Sequence, residues 1–307
     1  GSIASVRVDA SIHYFEFARA RFLDFAGAPP AVSASAPCGH CSYCHWAETC
    51  HAEWDAAHHL SLVAGLGRGQ AEALTSAGIG DLLALAAMPQ GTRVEGIQPE
   101  TLWRLREQAR LQAHQRATGE RQVERLEVEP GRGLARLPRP DAGDMFFDME
   151  GDPLFEGGLE YLFGVVTVDG GQENFHAFWA HDREQEKAAF QDAVDFMTAR
   201  LARYPGAHIY HYASYEESAL KRLAMLHGTR EAAVDDFLRQ HRPVDLYRVV
   251  REAVRTSEPA YSIKNMEKFY LAEAREGEVT TAGDSIVIYE RWRRLGVRLG
   301  LGNLTDT

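Results

Sequence analysis

The sequence predicts an α/β fold, a mixed sheet with flanking helices, preceded by a helical region that carries a cysteine cluster. Three observations predict it. The apolar period shifts from helical spacing to alternation near residue 140. Three strand-like runs then precede a long periodic helix, a further strand and more helix, and all four cysteines fall within residues 38–50.

At 307 residues the chain is long enough for about two domains. Hydrophobic residues at 45% and charged residues at 25% are ordinary globular values, which excludes global disorder, a fibrous repeat and a disulfide-framework miniprotein. Thirty-three basic against 44 acidic side chains give a formal net charge of −11. The molecule as a whole therefore repels polyanions, and any nucleic-acid contact needs a local basic patch or bound metal ions. No apolar stretch approaches a membrane span and no secretory signal is visible, so a cytoplasmic location is expected.

Residues 12–27 (IHYFEFARARFLDFAG) repeat apolar and aromatic side chains at three- and four-residue spacing, which predicts an amphipathic helix ending at Gly27. The Pro/Ser/Ala run 28–37 reads as a linker. Residues 60–88 read as short helices broken at Gly65, Gly67 and Gly78, and 101–119 as a longer Arg-bearing helix. The Pro-, Gly- and Arg-rich stretch 120–140 is a linker or edge segment. Beyond it, 144–153 begins as a strand, 161–170 is its hairpin partner with Asp169-Gly170-Gly171 as turn chemistry, and 172–180 adds a third strand. Residues 184–204 form a periodic helix, 208–213 a short apolar strand and 214–226 another helix. The domain organisation that follows is 1–57, 58–119, a 120–140 linker, and 141–307.

The cysteines stand as CGHCSYCHWAETC: Cys38, Cys41, Cys44 and Cys50. In a cytoplasmic chain such clustering points to a metal or an iron–sulfur cluster, because thiolates this close can converge on one centre. Tetrahedral Zn²⁺ and a [4Fe-4S] cluster both accept four thiolates, so ligand identity does not separate them. His40, His45 and His51 are near enough to replace one cysteine, although ordinary surface histidines explain them equally. Catalytic zinc is disfavoured, since four thiolates leave no open position for water.

The segment VAGLGRGQAEALTSAGIGDLLALA places small residues around short helices, a pattern that lets backbone amides approach a phosphate, as in helix-hairpin-helix modules. Gly65, Gly67 and Arg68 are the candidate contacts, with Arg104 beside them in a stripe that includes Arg93, Arg106, Arg110 and Arg116. Glu95, Glu100 and Glu107 dilute that stripe, and a solvated helix face explains it as well.

FFDMEGDP sets Asp148 and Glu150 at alternate positions of a predicted strand, so both carboxylates share a face. Like charges so placed repel unless a cation neutralises them, which is what a divalent-metal site requires. Glu216 opens a helix directly after a strand and could close that site. Taken alone, an acid in a first helical turn is ordinary dipole complementation. His208, His211 and Tyr212 flank the same junction, as packed strand residues or as substrate contacts.

A DxE strand followed by a strand-to-helix motif of the form aromatic-acid-xxx-Leu resembles the DEDD 3′–5′ exonucleases of the RNase H-like fold over roughly residues 140–290. FFDMEGDP is the first motif. HYASYEESAL is the second, with Tyr215-Glu216 where those enzymes usually have Phe-Asp. VDLYRVV, with Asp245, looks like the later Asp-bearing segment, and YSIKNMEKFY like its following helix. More narrowly, the order of CxxC, a further Cys, HLSLVAGL, ARLPRPDAGDMFFDMEGDP, LEYLFG, YHYASYEESAL, VDLYRVV and GDSIVIYERW is similar to the RecB-family-like nucleases, which join a RecB-type nuclease domain to an RNase H-like domain.

The resemblance implies an RNase H-like mixed sheet over 141–307, a helix-hairpin-helix-like unit over 58–119, and a RecB-type tail with its cysteine cluster over 1–57. It places the RecB-type catalytic acids and lysine upstream of this sequence, and a last Tyr-Asn-x-x-Asp motif beyond its end. Three acids instead of four are then expected at the RNase H-like site. Related RecB-type domains often draw one cysteine from the upstream region, for which Cys38 would substitute. The implied activity is metal-dependent hydrolysis of DNA phosphodiesters, a 3′–5′ exonuclease on single strands, slowed by the absent acid. Asp148, Glu150 and Glu216 would hold two Mg²⁺ or Mn²⁺ ions about 4 Å apart, with Tyr212 near the substrate. RNA is a second substrate class left open. The rival expectation is a non-catalytic module that grips nucleic acid or docks on a helicase through its cysteine cluster and helical hairpin.

Overall fold

The computed structural model describes residues 9–29, 35–41, 44–271 and 282–299. Helix α1 (Ile12–Gly27) forms as its periodicity predicts, but none of its residues is buried, and Tyr14, Phe17 and Phe22 stand exposed. Helix α2 (Ala47–Ala56) buries Trp54, whose indole N–H donates to the Ser35 carbonyl at 3.1 Å.

The next unit is all helical. A 3-10 turn at Leu60–Leu62, α3 (Arg68–Ser76), α4 (Leu82–Ala87) and α5 (Pro99–Thr118) enclose a core of Leu60, Leu74, Leu82, Leu85, Leu102 and Leu105. Its boundaries follow local chemistry. The Gln70 side chain accepts from the Gly67 N–H at 2.9 Å where α3 begins, and Asp81 caps α4 by accepting from the Ala84 N–H at 2.8 Å. Pro99 sits in the first turn of α5, and Gly119 ends that helix in the left-handed region.

The segment expected as linker or edge carries strand β1 (Val123–Arg125) and a 3-10 turn at Gly133–Arg136. Then follow β2 (Met145–Asp152), β3 (Leu159–Asp169), β4 (Gln172–Trp179), α6 (Arg183–Arg203), β5 (Ile209–His211), α7 (Tyr215–His227), α8 (Glu231–Arg239), β6 (Pro243–Asp245), α9 (Leu246–Ala253), β7 (Val254–Thr256), α10 (Ile263–Met266) and α11 (Ala282–Leu299). Five of the strands make a mixed sheet in the order β4-β3-β2-β5-β6. β2, β3 and β4 are antiparallel, while β5 runs parallel to both β2 and β6. The turn Gly170-Gly171, at φ 62° and 85°, closes the β3–β4 hairpin, a two-residue loop whose positive φ values suit glycine. The parallel return to β5 needs a crossover, and α6 supplies it.

Alternation along β2 decides the placement of the site. Met145, Phe147 and Met149 point to one face and pack with Phe163, Val165, Phe190 and Met197 in the main core, against α6 and α7. Phe146, Asp148 and Glu150 point to the other face, which α6 leaves uncovered. A bulge between Glu150 and Gly151 then shifts the register against β3.

The two units meet at a seam. β1 pairs antiparallel with β7, Gln108 of α5 donates to the Thr256 carbonyl at 2.7 Å, and the Tyr261 hydroxyl donates to Gln108 at 3.0 Å. No helix among the described residues is long and apolar enough to cross a membrane.

Candidate active site

The uncovered sheet face forms an open depression of about 490 Å³ that includes Phe146, Asp148, Glu150, Phe175, Tyr210 and Tyr212. Asp148 is open to solvent along one side, yet protein atoms surround its carboxyl. Burial, then the charge of Glu216 and that of Glu150, push its pKa up to about 6. Glu216 is delivered from the far side of the strand–helix junction, in the first turn of α7. It is almost wholly buried, and its Oε2 has no hydrogen-bond partner among the described residues. A buried carboxylate oxygen left unpaired beside a second carboxyl is costly unless a cation or a shared proton compensates it. Asp148 and Glu216 are close enough that the charge of Glu216 raises the proton affinity of Asp148. Their oxygen donors suit a hard divalent cation, whose charge would satisfy both.

Glu150 lies two residues along the same face, but its carboxylate is engaged elsewhere. The Tyr161 hydroxyl donates to it at 3.5 Å, Ser285 of α11 adds a hydrogen bond, and Lys264 lends positive charge. Burial nevertheless raises its pKa. Tyr161 is itself fixed by stacking on Tyr289 at 3.9 Å between ring centroids and by its contact with the Ser285 hydroxyl at 2.6 Å. Among the described residues no three His, Cys, Asp or Glu side chains are gathered tightly enough to hold a metal ion. At this cleft the gathering stops at a pair.

His211 ends β5 beneath that pair. Its Nδ1 contacts the Ala213 carbonyl at 2.6 Å and lies 3.4 Å from Glu216, while Nε2 is buried without a hydrogen-bond partner. Burial pulls its pKa down, but the adjacent Glu216 carboxylate, the Ala213 carbonyl and the charge of Asp245 reverse this and leave it raised. Asp245 acts as a brace. One of its oxygens caps α9 through the Tyr247 N–H at 2.9 Å and holds the Ala213 N–H at 2.9 Å. Ala213 adopts φ 77°, and that tie fixes the strained turn which presents α7 and Glu216.

A family model for the RNase_H superfamily matches residues 145–304, from the first residue of β2 onward. The chain belongs to the RNase_H superfamily. In that RNase_H domain the matched segment opens on the strand bearing Asp148 and Glu150 and includes Glu216. No curated protein and no solved structure matches the chain.

The remaining expected contacts are scattered around the RNase_H domain and the helical unit. Tyr212 lines the acidic cleft and donates its hydroxyl to the Tyr261 carbonyl. Gly65 and Arg104 meet at the seam, in a pocket shared with Arg251, Arg255 and Tyr261. Gly67 and Arg68 line a third depression with Ala36, Pro37 and His59, where Arg68 pairs with Glu72 at 3.0 Å. The stripe read along α5 is not a basic face. Arg106 and Arg110 both bind Glu107, Arg110 also binds Glu124, and Arg116 binds Asp55, because helical and cross-element neighbours supply matching acids. Arg251 and Arg255 had no sequence signal, since their elements follow the sheet and reach Arg104 only through the fold.

The four cysteines are free thiols, with Cys38 exposed and Cys41, Cys44 and Cys50 half-buried. The Cys38 and Cys41 sulfurs lie 3.9 Å apart. Hydrogen bonding from the His40 backbone and the Cys41 side chain lowers the Cys38 pKa.

Proposed function

We propose that this chain is a metal-dependent nuclease that shortens single-stranded DNA from its 3′ end, with Asp148 and Glu216 as the central metal-binding carboxylates and Glu150 as the third. The observation that carries this reading is the pairing of a cleft carboxyl, its pKa near 6, with a buried, hydrogen-bond-deficient Glu216 oxygen. A bound Mg²⁺ or Mn²⁺ would supply Lewis-acid activation of a water and neutralise charge at the phosphate. The chain supplies the rest. Asp148 must lose its proton to bind, so its raised pKa sets the lower pH limit of the site. His211 and the Asp245–Ala213 tie hold Glu216 in place. The 3′–5′ polarity and the preference for DNA rest on the DEDD resemblance.

Single strands are favoured by the cleft floor. Phe146 stacks with Tyr210 at 5.4 Å between centroids, and Phe175 stands 63% exposed beside them. Such surfaces receive unpaired bases, whose π faces are hidden in a duplex.

The test is degradation of a 5′-labelled single-stranded DNA oligonucleotide with Mn²⁺. A 3′ ladder slowed roughly 100-fold or more by Asp148→Asn supports the assignment, and equal hydrolysis by the variant removes it. A binding-only reading is favoured by one finding, that the acids gather as a pair and not as a trio. It predicts oligonucleotide binding with no ladder from either protein.

For the cysteines we propose a structural Zn²⁺ or [4Fe-4S] centre on Cys38, Cys41, Cys44 and Cys50. The 3.9 Å separation of the Cys38 and Cys41 sulfurs supports it for that pair, close to the roughly 3.8 Å implied by tetrahedral Zn–S bonds of about 2.3 Å, while no third ligand is gathered with them among the described residues. Elemental analysis separates zinc from iron, and a chain purified with neither overturns the proposal.

A further inference from the structure

The seam pocket is a cavity of about 250 Å³ whose wall takes Gly65 and Arg104 from the helical unit and Arg251, Arg255 and Tyr261 from the RNase_H domain. Three guanidiniums bear on the Tyr261 hydroxyl from α5, α9 and β7. No Asp or Glu lines this cavity among the described residues. That is unusual in a chain of net charge −11, where most arginines find an acid.

The neighbouring carboxylates are committed elsewhere. Glu107 is held by Arg106 and Arg110, Glu252 by Arg136 and Arg248, and Glu258 by Arg121 and Lys268. Among the described residues only Arg255 of the three has an acidic partner, Glu124 at 3.4 Å, and Glu124 is shared with Arg110. Arg104 and Arg251 are exposed, and the side chain of neither forms a hydrogen bond or an ion pair with the described residues. Three converging like charges of which two lack a counterion destabilise one another unless an anion joins them.

The pocket's position says which anion. Its wall is shared with the acidic cleft: Tyr247 lines the arginine pocket, Tyr212 lines the cleft, and the two rings meet edge to face at 5.8 Å. The Tyr212 hydroxyl also donates to the Tyr261 carbonyl. A strand lying on the aromatic floor beside Asp148 therefore has to pass only this tyrosine wall to reach the arginines.

We infer that Arg104, Arg251 and Arg255 form a phosphate-anchoring pocket for the backbone of the same nucleic-acid strand whose scissile bond lies at Asp148 and Glu216. This rests on the nuclease reading for the identity of the strand. It adds a second grip, with one of its three arginines from the helical unit, so that the helical unit and the RNase_H domain hold one ligand together.

The experiment measures binding of a fluorescein-labelled single-stranded DNA 20-mer in EDTA, across a salt series, by the full chain and by Arg104→Gln/Arg251→Gln. Arg255 is left in place because it pairs with Glu124 and lies on β7. Arg132→Gln/Arg239→Gln removes the same charge from exposed pairs elsewhere and serves as control. The pocket variant is expected to melt at or slightly above the wild-type temperature, because two of the three mutually repelling charges are gone, to bind about tenfold more weakly, and to flatten the slope of log K against log salt by about 1.4, two contacts at roughly 0.7 each. The control is expected to bind within about twofold of wild type. Equal affinity and slope in wild type and pocket variant overturn the proposal, as does equal weakening in the control or no binding by the wild type. Inorganic phosphate that raises the melting temperature of the wild type but not of the pocket variant, with oligonucleotide binding unchanged between them, overturns it in favour of a free phosphate ligand. Because binding is read without metal, unimpaired hydrolysis by Asp148→Asn would remove the nuclease reading and leave the pocket result standing.

Discussion

Asp148 carries the sharpest consequences at the scale of one residue. An acid whose pKa rises on folding, here from 3.8 to about 6, binds protons better in the native state. The metal-free protein therefore loses stability as pH climbs through that window. Asp148→Asn should raise the metal-free melting temperature at pH 7.5 and merge with wild type below about pH 4. Its gain is about 1 kcal/mol once solvent screening of this open carboxyl is discounted, or roughly 2–4 °C. Calorimetry in EDTA checks this, and a lower melting temperature for the variant at pH 7.5 would contradict it. Metal runs the opposite way, because protons compete for the same oxygens. Stabilisation by Mn²⁺ should be small at pH 5, grow through pH 6 and level off above pH 7. A Mn²⁺ shift in melting temperature that is flat from pH 5 to 8 would remove Asp148 from the ligand set.

At the scale of elements, most of the sheet was legible in the sequence because its signals are local. Alternation fixed β2, the Gly170-Gly171 pair marked a hairpin turn, and the strand–helix junction exposed Glu216 as a candidate. What stayed hidden depends on distant partners. β1 reads in sequence as linker or edge segment because its three residues acquire a pattern only by pairing with β7, as in Val123 against Thr256. Glu150 looked equivalent to Asp148, since nothing in DxE shows that Tyr161 and Ser285 will engage it. The 3-10 turn at Gly133–Arg136 gives a test of such a long-range tie. Glu252 accepts from the Gly133 N–H at 2.9 Å and binds Arg136 at 2.6 Å, which hold its pKa down at about 2. That stability is present above the ordinary glutamate pKa and is lost as pH falls towards 2. Glu252→Gln should cost about 1 kcal/mol at pH 7, a difference from wild type that vanishes in acid denaturation near pH 2. Gly133→Ala at φ 53° should cost at least as much, because a Cβ there meets the Glu252 carbonyl at 3.0 Å. In the main core, Phe190→Ala should cost about 3–5 kcal/mol by urea denaturation, since Phe190 is fully buried between α6 and the sheet.

For the whole molecule, the arrangement of charge matters more than its sum. A net charge of −11 requires any nucleic-acid contact to be local, and among the described residues the acids are spent on arginines along α5 and α9 while Arg104 and Arg251 are left over at one seam. Composition could not reveal this, because the surplus exists only where two units of the fold meet. Nuclease activity should accordingly fall with added salt more steeply than the net charge suggests. A rate independent of salt between 50 and 200 mM, the range over which phosphate contacts weaken strongly, would count against any strand grip outside the cleft.

The β1–β7 pairing also imposes an order on synthesis. Val123 cannot meet Thr256 until the intervening chain has left the ribosome, whereas the strands and helices that bear Asp148 and Glu216 are complete by the end of α7. Closing so long a loop carries an entropic cost that the short ladder repays only after the sheet between its ends has collapsed. The acid pair, complete once Asp245 has emerged to brace the Ala213 turn, is thus assembled before the seam.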